Sequence, residues 1–144
     1  MRVFISQPMR GRTMEQIQER RDQICEMLVE IFNRDIEIID SINKDEELQK
    51  KGSIAMLGHS VGLMADADLV VVDDVEYGYT GVEIESNVAY NYGIPKLSMY
   101  DLVTIYAGIK GMRGEKYKDF NLKVKNYYDY EDDNTVCVDT IPKR

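Results

Sequence analysis

Glu85 is the residue of this chain whose placement most invites chemistry. It stands in the run Gly81-Val82-Glu83-Ile84-Glu85, in the first turn of a segment patterned as a helix. It lies three residues before Val88, four before Ala89 and seven before Tyr92, so it shares their inward stripe, while Glu83 points to solvent. Glutamate is rarely buried without a partner. A carboxylate turned towards a sheet and beside a glycine loop suits a group that holds or attacks a small molecule. The structural alternative is an acid stabilised by the dipole of the helix start.

Two loops supply further candidates. Asp73 to Gly81 (Asp-Asp-Val-Glu-Tyr-Gly-Tyr-Thr-Gly) follows the most apolar strand-like run. Its glycines permit close approach of backbone to a ligand, and its tyrosines can stack on a base or hydrogen-bond an anion. Gln7 to Thr13 (Gln-Pro-Met-Arg-Gly-Arg-Thr) is a strand-to-helix turn with two arginines. Arg10, with the amides of the helix start, suits a phosphate or another anion. The alternative for both is an ordinary solvated connection. The single histidine, His59, falls opposite the apolar stripe of its helix and reads as surface or interface. No Ser–His–acid or Cys–His set assembles, no metal-ligand cluster exists, and no cofactor is called for.

These residues need a scaffold, and residues 2–99 alternate strands with helices, the pattern of a parallel sheet covered on both faces. Strands are expected at residues 2–6, 36–40, 67–72 and 96–99. Thr13-Met14-Glu15-Gln16 forms a capping box. Met14, Ile17, Ile24, Leu28 and Ile31 then mark one apolar helix face, ending near Asn33. Residues 46–64 read as helix weakened by Gly52, Gly58 and Gly62, with Ile54, Leu57, Val61 and Met64 as its buried stripe. A third helix, 81–92, is closed by Gly93 and Pro95, and 101–110 reads as a short helix. Residues 120–125 and 135–138 alternate like strands of a β-ribbon or edge strand around a tyrosine-rich acidic stretch. The expected organisation is one α/β domain over residues 1–114, flavodoxin/Rossmann-like, with 115–144 as an extension packed on or near it. Ligands of such sheets bind beyond the carboxyl ends of the strands, where both loops and Glu85 fall.

Composition narrows the classes. At 144 residues with 44% hydrophobic and 31% charged side chains, the chain suits one soluble domain. Its net charge of −8, from 26 acidic against 18 basic residues, argues against a nucleic-acid polymer as partner, since that binding needs clustered positive charge. No apolar stretch approaches the ~20 residues of a membrane span. The strand-like run Val3-Phe4-Ile5-Ser6 leaves no room for a signal peptide, so a cytoplasmic location is expected. Cys25 and Cys137 match no ligand spacing, and Cys25 reads as a buried reduced thiol. The eight methionines are mostly core filler.

Val3-Phe4-Ile5-Ser6-Gln7-Pro8-Met9-Arg10-Gly11, together with Gly81-Val82-Glu83-Ile84-Glu85 running through Ala89-Tyr90 to Gly93-Ile94-Pro95, flanks Ala65-Asp66-Ala67-Asp68-Leu69-Val70-Val71-Val72. In this order the chain resembles the nucleoside 2-deoxyribosyltransferase superfamily over about residues 2–99, closest to its small, often phage-encoded members. That superfamily includes transferases that exchange bases and hydrolases that cleave 2′-deoxynucleoside 5′-monophosphates. The resemblance implies that Glu85 is a nucleophile that attacks the anomeric carbon, expels the base and forms a glycosyl-enzyme, resolved by a second base or water. The physics is that of retaining glycoside cleavage. It also implies that the loop of Met9, Arg10 and Gly11, at the end of the strand carrying Ser6 and Gln7, receives a 5′-phosphate. Tyr79, two residues before Gly81, stands where the hydrolases have a phosphate-contacting serine. The family's acid on the helix before the central strand is matched by Ser60, which cannot act as a general acid near neutral pH. Ser60 lies ~70° from the centre of its helix's buried stripe, at ~100° per residue, and can still reach a ligand. Asp73 is the candidate substitute acid. The resemblance further implies a homodimer or larger homo-oligomer.

The leading expectation is therefore an N-glycosyl enzyme acting on nucleosides or nucleotides. A non-catalytic protein that captures a nucleotide or an ADP-ribose-like ligand is the rival that Ser60 motivates. A phosphoribohydrolase with a similar Gly-x-x-x-Glu element is the third.

Overall fold

β1, Arg2–Ser6, forms because four consecutive buried residues, Val3 to Ser6, have neighbours on both faces, as a central parallel strand requires. It pairs in parallel with β2, Glu37–Ile38, and with β3, Leu69–Val72; β3 pairs in parallel with β4, Lys96–Ser98. The order is β2-β1-β3-β4. The chain is thus an α/β protein with a parallel, flavodoxin/Rossmann-like sheet. The computed structural model describes residues 1–76 and 78–112. The expected ribbon at 120–125 and 135–138, the extension 115–144 and Cys137 lie outside the described residues.

Alternation along the strands sorts the core into two halves. Val3, Ile5, Leu69 and Val71 face α1, Met14–Phe32, and α5, Met99–Met112. Phe4, Val70 and Val72 face α4, Thr80–Asn91, with Val61 and Leu63 of α3, Ser53–Leu63, packed at the edge. A five-residue helix, α2, Glu46–Lys50, precedes α3. The capping box forms as expected: Thr13 Oγ1 accepts from the Gln16 N–H at 3.1 Å and Gln16 Oε1 from the Thr13 N–H at 2.9 Å. Asn33 closes α1 in the left-handed region at φ 48°, and Gly93 follows α4 at φ 70°.

The structure corrects several boundaries and faces. Residues 46–64 are two helices and a 3₁₀ turn, because Gly52 turns to φ 92° between α2 and α3. The second strand is two residues long, although the Ile39 N–H still donates to Val3 O at 2.9 Å. The last helix starts earlier than expected, at Met99. Met14, Ile54 and Tyr92, expected inward, are 55%, 87% and 81% exposed. Each sits at a helix end. A 19-residue helix such as α1 spans about 28 Å, against about 17 Å for a five-residue strand, so terminal turns overhang the sheet. Cys25 is half-buried, and burial raises its thiol pKa. No described helix is long and apolar enough to cross a membrane, and no described cluster of His, Cys, Asp or Glu is placed to hold a metal ion.

Candidate functional site

Strand order reverses between β1 and β3: the chain goes from β1 outward to β2 and returns past β1 to β3. The connections diverge there, and the crevice beyond the carboxyl ends of these two strands is where such folds bind ligands. The buried polar residues gather at the same end. Ser6 is the last residue of β1 and Gln7 follows it; Ser41 follows β2, Asp73 follows β3, and Ser98 ends β4. Arg20 and Arg21 of α1 and Glu85 of α4 complete the buried polar set of the described residues. Burying a polar group is costly unless it is hydrogen-bonded, and here the cost is confined to one edge of the sheet.

Glu85 is 9% exposed and points inward, as its spacing predicts, while Glu83 is exposed. Ser60 Oγ on α3 donates to Glu85 Oε1 at 3.4 Å, long for a hydroxyl donor. Ser6 shares a sheet face with Phe4, the face α4 covers. Its hydroxyl lies beside the Glu85 carboxylate and favours its charge, yet it has no partner in good hydrogen-bond geometry. Burial pushes the Glu85 carboxyl up to about 7 from an ordinary 4.5, against the opposing pulls of Ser6, Ser60 and Arg21. The group therefore changes charge near neutral pH.

Asp73 is 1% exposed and has the opposite parity to Val72, so it faces α1. Arg20 Nε approaches its Oδ2 at 3.4 Å, and Oδ1 has no hydrogen-bond partner. Burial raises its pKa, and Arg20 opposes that shift. The Asp73 N–H donates to Ser6 O at 2.8 Å, which locks the ends of β1 and β3 together. Glu85 and Asp73 thus flank this junction from opposite faces of the sheet.

The first loop is a tight turn. The Arg12 N–H donates to Met9 O at 3.1 Å, with Gly11 at φ 76° in its third position, where a side chain would be strained. Arg10 is exposed at the tip and Met9 half-buried. Arg12, rather than Arg10, reaches back: its Nη2 lies 2.9 Å from Glu76 Oε1, and Tyr79 Oη donates to Glu76 Oε2 at 3.1 Å. Burial, with that hydrogen bond to Glu76, raises the Tyr79 phenol. This bridge joins the two loops across the crevice. Gly81, in the first turn of α4, has room for a Cβ, whose nearest neighbour would be Leu57 Cδ1 at 4.0 Å. Packing within the protein therefore does not require a glycine there.

Gln7 is less available than its position suggested. Its Oε1 accepts from Arg21 Nε at 2.7 Å, and its Nε2 donates to Ile17 O at 3.4 Å. Arg21 Nη2 donates to Ser41 Oγ at 2.7 Å. The sequence pattern did not single out Arg20, Arg21 and Ser41, which the structure buries here. A signal existed for the arginines, which stand three and four residues after Ile17 and before Ile24, inside the apolar stripe of α1. Comparison with family models, curated proteins and solved structures gives no match for this chain.

Proposed function

We propose that the protein acts on the N-glycosidic bond of a nucleoside or nucleotide, by deoxyribosyl transfer or hydrolysis, with Glu85 as nucleophile. The observation that carries this reading is the Glu85 carboxyl, buried at the β1/β3 switch point beside the buried Ser6 hydroxyl. In its ionised form Glu85 attacks the anomeric carbon through an oxocarbenium-like transition state. The carbon–nitrogen bond breaks, the pair of electrons leaves with the base, and water or a second base displaces Glu85 from the sugar. Ser6 and Ser60 orient the carboxylate, and their hydroxyls can also meet the sugar. The turn of Met9 to Arg12 and the Arg12–Glu76–Tyr79 bridge form the rim, where Arg10 is placed to meet a phosphate in solvent. The reading includes a cytoplasmic, self-associated protein; the apolar residues that α3 and α4 leave exposed, Ile54, Met56 and Ile84, support self-association.

The test is incubation of the purified protein with nucleosides, deoxynucleosides and their monophosphates, with and without a second free base, followed by chromatography. Base release should rise with pH through about 7, as Glu85 ionises, and should vanish in Glu85→Gln. Full release by Glu85→Gln would exclude the mechanism.

A specific observation favours a second reading, a protein that binds such a ligand without cleaving it. Ser60 cannot protonate a departing base, and Asp73 is turned towards Arg20 on the far face. Such a protein returns its ligand intact after denaturation, whereas recovery of free base would exclude it.

A further inference from the structure

Glu76 is an acid held where an anion from outside could otherwise bind. Arg12 Nη2 stands 2.9 Å from its Oε1, and Tyr79 Oη donates to its Oε2 at 3.1 Å. Arg12 precedes Thr13, the N-cap of α1, and Tyr79 is the N-cap of α4. The carboxylate is thus bound by residues at the start of two helices, the ends that favour negative charge. A guanidinium and a phenol at the rim of the crevice are also donors that a phosphate group would use. Here the protein's own acid engages both. The Arg12 side chain is only 14% exposed, so water screens the pair less than it does an ordinary surface ion pair.

The other groups at this end of the sheet offer a phosphate little. Arg20 faces Asp73, and Arg21 donates to Gln7 and Ser41. Arg10 is exposed at the tip of its turn, where water and salt screen its charge. The loop that carries Glu76, Asp73 to Gly81, holds three acids and no basic residue. A phosphate entering the rim has to displace Glu76 from Arg12, and the released carboxylate then repels it. The hydroxyl of an unphosphorylated sugar is neutral, can donate to Glu76 and meets no such cost.

We propose that Glu76, clamped by Arg12 and Tyr79, is a specificity-determining residue that makes the crevice select an unphosphorylated nucleoside over its 5′-monophosphate. The proposal rests on the reading of the crevice as a nucleoside or nucleotide site, and it names which of the two the site takes.

The experiment measures by calorimetry the Kd of the common nucleosides and 2′-deoxynucleosides, and of the 5′-monophosphate of each, for the wild-type chain, Glu76→Gln and Glu76→Ala. Base release is followed by chromatography in the same samples. The wild type should bind the nucleoside of a pair about tenfold more tightly than the monophosphate, the low end for loss of a charge-assisted hydrogen bond. That preference should weaken with added salt, as a charge effect does. Both variants should bring the ratio to about one or reverse it, by tightening the monophosphate while the nucleoside stays within about threefold. A wild type that prefers the monophosphate, a preference indifferent to salt, or a ratio that either variant leaves unchanged overturns the proposal, even where base is released through Glu85. A ratio that behaves as expected in a protein that never releases base upholds the role of Glu76 and overturns the nucleophile reading instead. Binding of no member of the panel overturns both. If one variant does not fold, the other and the salt series decide.

Discussion

Replacing Glu85 by glutamine should stabilise the protein above neutral pH and change little near pH 4. An unfolded chain releases the Glu85 proton near 4.5, and the folded protein releases it near 7. Below 4.5 both states hold the proton and burial of the group is uncharged. Between the two values only the unfolded state is ionised, so stability falls as pH rises. Above 7 both states are ionised and the penalty stays at its maximum. The gap between about 7 and 4.5, at 1.36 kcal/mol for each pKa unit, is about 3 kcal/mol. Glutamine is close in shape to the protonated acid and carries no such term. Urea unfolding of the two proteins at steps from pH 4 to pH 8.5 measures the difference directly. It should grow from near zero to about 3 kcal/mol, or about 10 °C in Tm for a domain of this size. A difference that is constant with pH, or a wild type more stable than the variant at pH 8, would refute the account of Glu85 as an incompletely compensated buried acid.

Other consequences are open to test. Asp73→Asn should leave base release within tenfold of wild type, because the side chain faces Arg20; a loss of a hundredfold or more would restore it as the general acid. Gly81→Ala, with ordinary space for its methyl group, should raise stability by about 0.5–1 kcal/mol while weakening ligand binding. Unchanged affinity would show that no ligand passes over Gly81. Ile54→Lys, at an 87% exposed position, should lower the mass seen by light scattering without changing the fold; equal masses would remove α3 from the self-association surface. Calorimetry at pH 7 in buffers of different ionisation enthalpy should show release of about half a proton when a nucleotide binds, since the half-ionised Glu85 must become a carboxylate to attack. Proton uptake would contradict a nucleophilic role.

The framework was legible in the sequence wherever one period dominated. Val3 to Ser6 and Leu69 to Val72 are uniformly buried runs, and the capping box at Thr13 and the left-handed Asn33 delimit α1 as read. Glu85 was legible because helical spacing alone turns it inward. Asp73 was legible as a residue at a strand end, but its facing was not, since that depends on whether Val72 is the last paired residue. Ile54 was misread because a helical wheel assigns a side without showing whether a neighbour lies under it. Arg20 and Arg21 were passed over because an arginine inside an apolar stripe reads as solvent-reaching when no acid can be placed against it. Here the partners Asp73, Gln7 and Ser41 come from the ends of three different strands, a juxtaposition that only the sheet order creates.

That order also explains why the polar residues belong together. Each strand ends in, or is followed by, a small buried polar residue, Ser6, Ser41, Asp73 or Ser98, where an apolar one would have packed. A fold selected only for stability would fill these places with aliphatic side chains or give each polar atom a short hydrogen bond. Arg21 has such bonds and is held still. Glu85, by contrast, has one long bond to Ser60, and Ser6 has none of good geometry. The acid and the Ser6 hydroxyl therefore keep bonding capacity that the fold itself does not take up. Groups that donate hydrogen bonds, such as the hydroxyls of a sugar, complete that set and favour the carboxylate over the acid. On the proposed mechanism, ligand binding and activation of Glu85 are one electrostatic event.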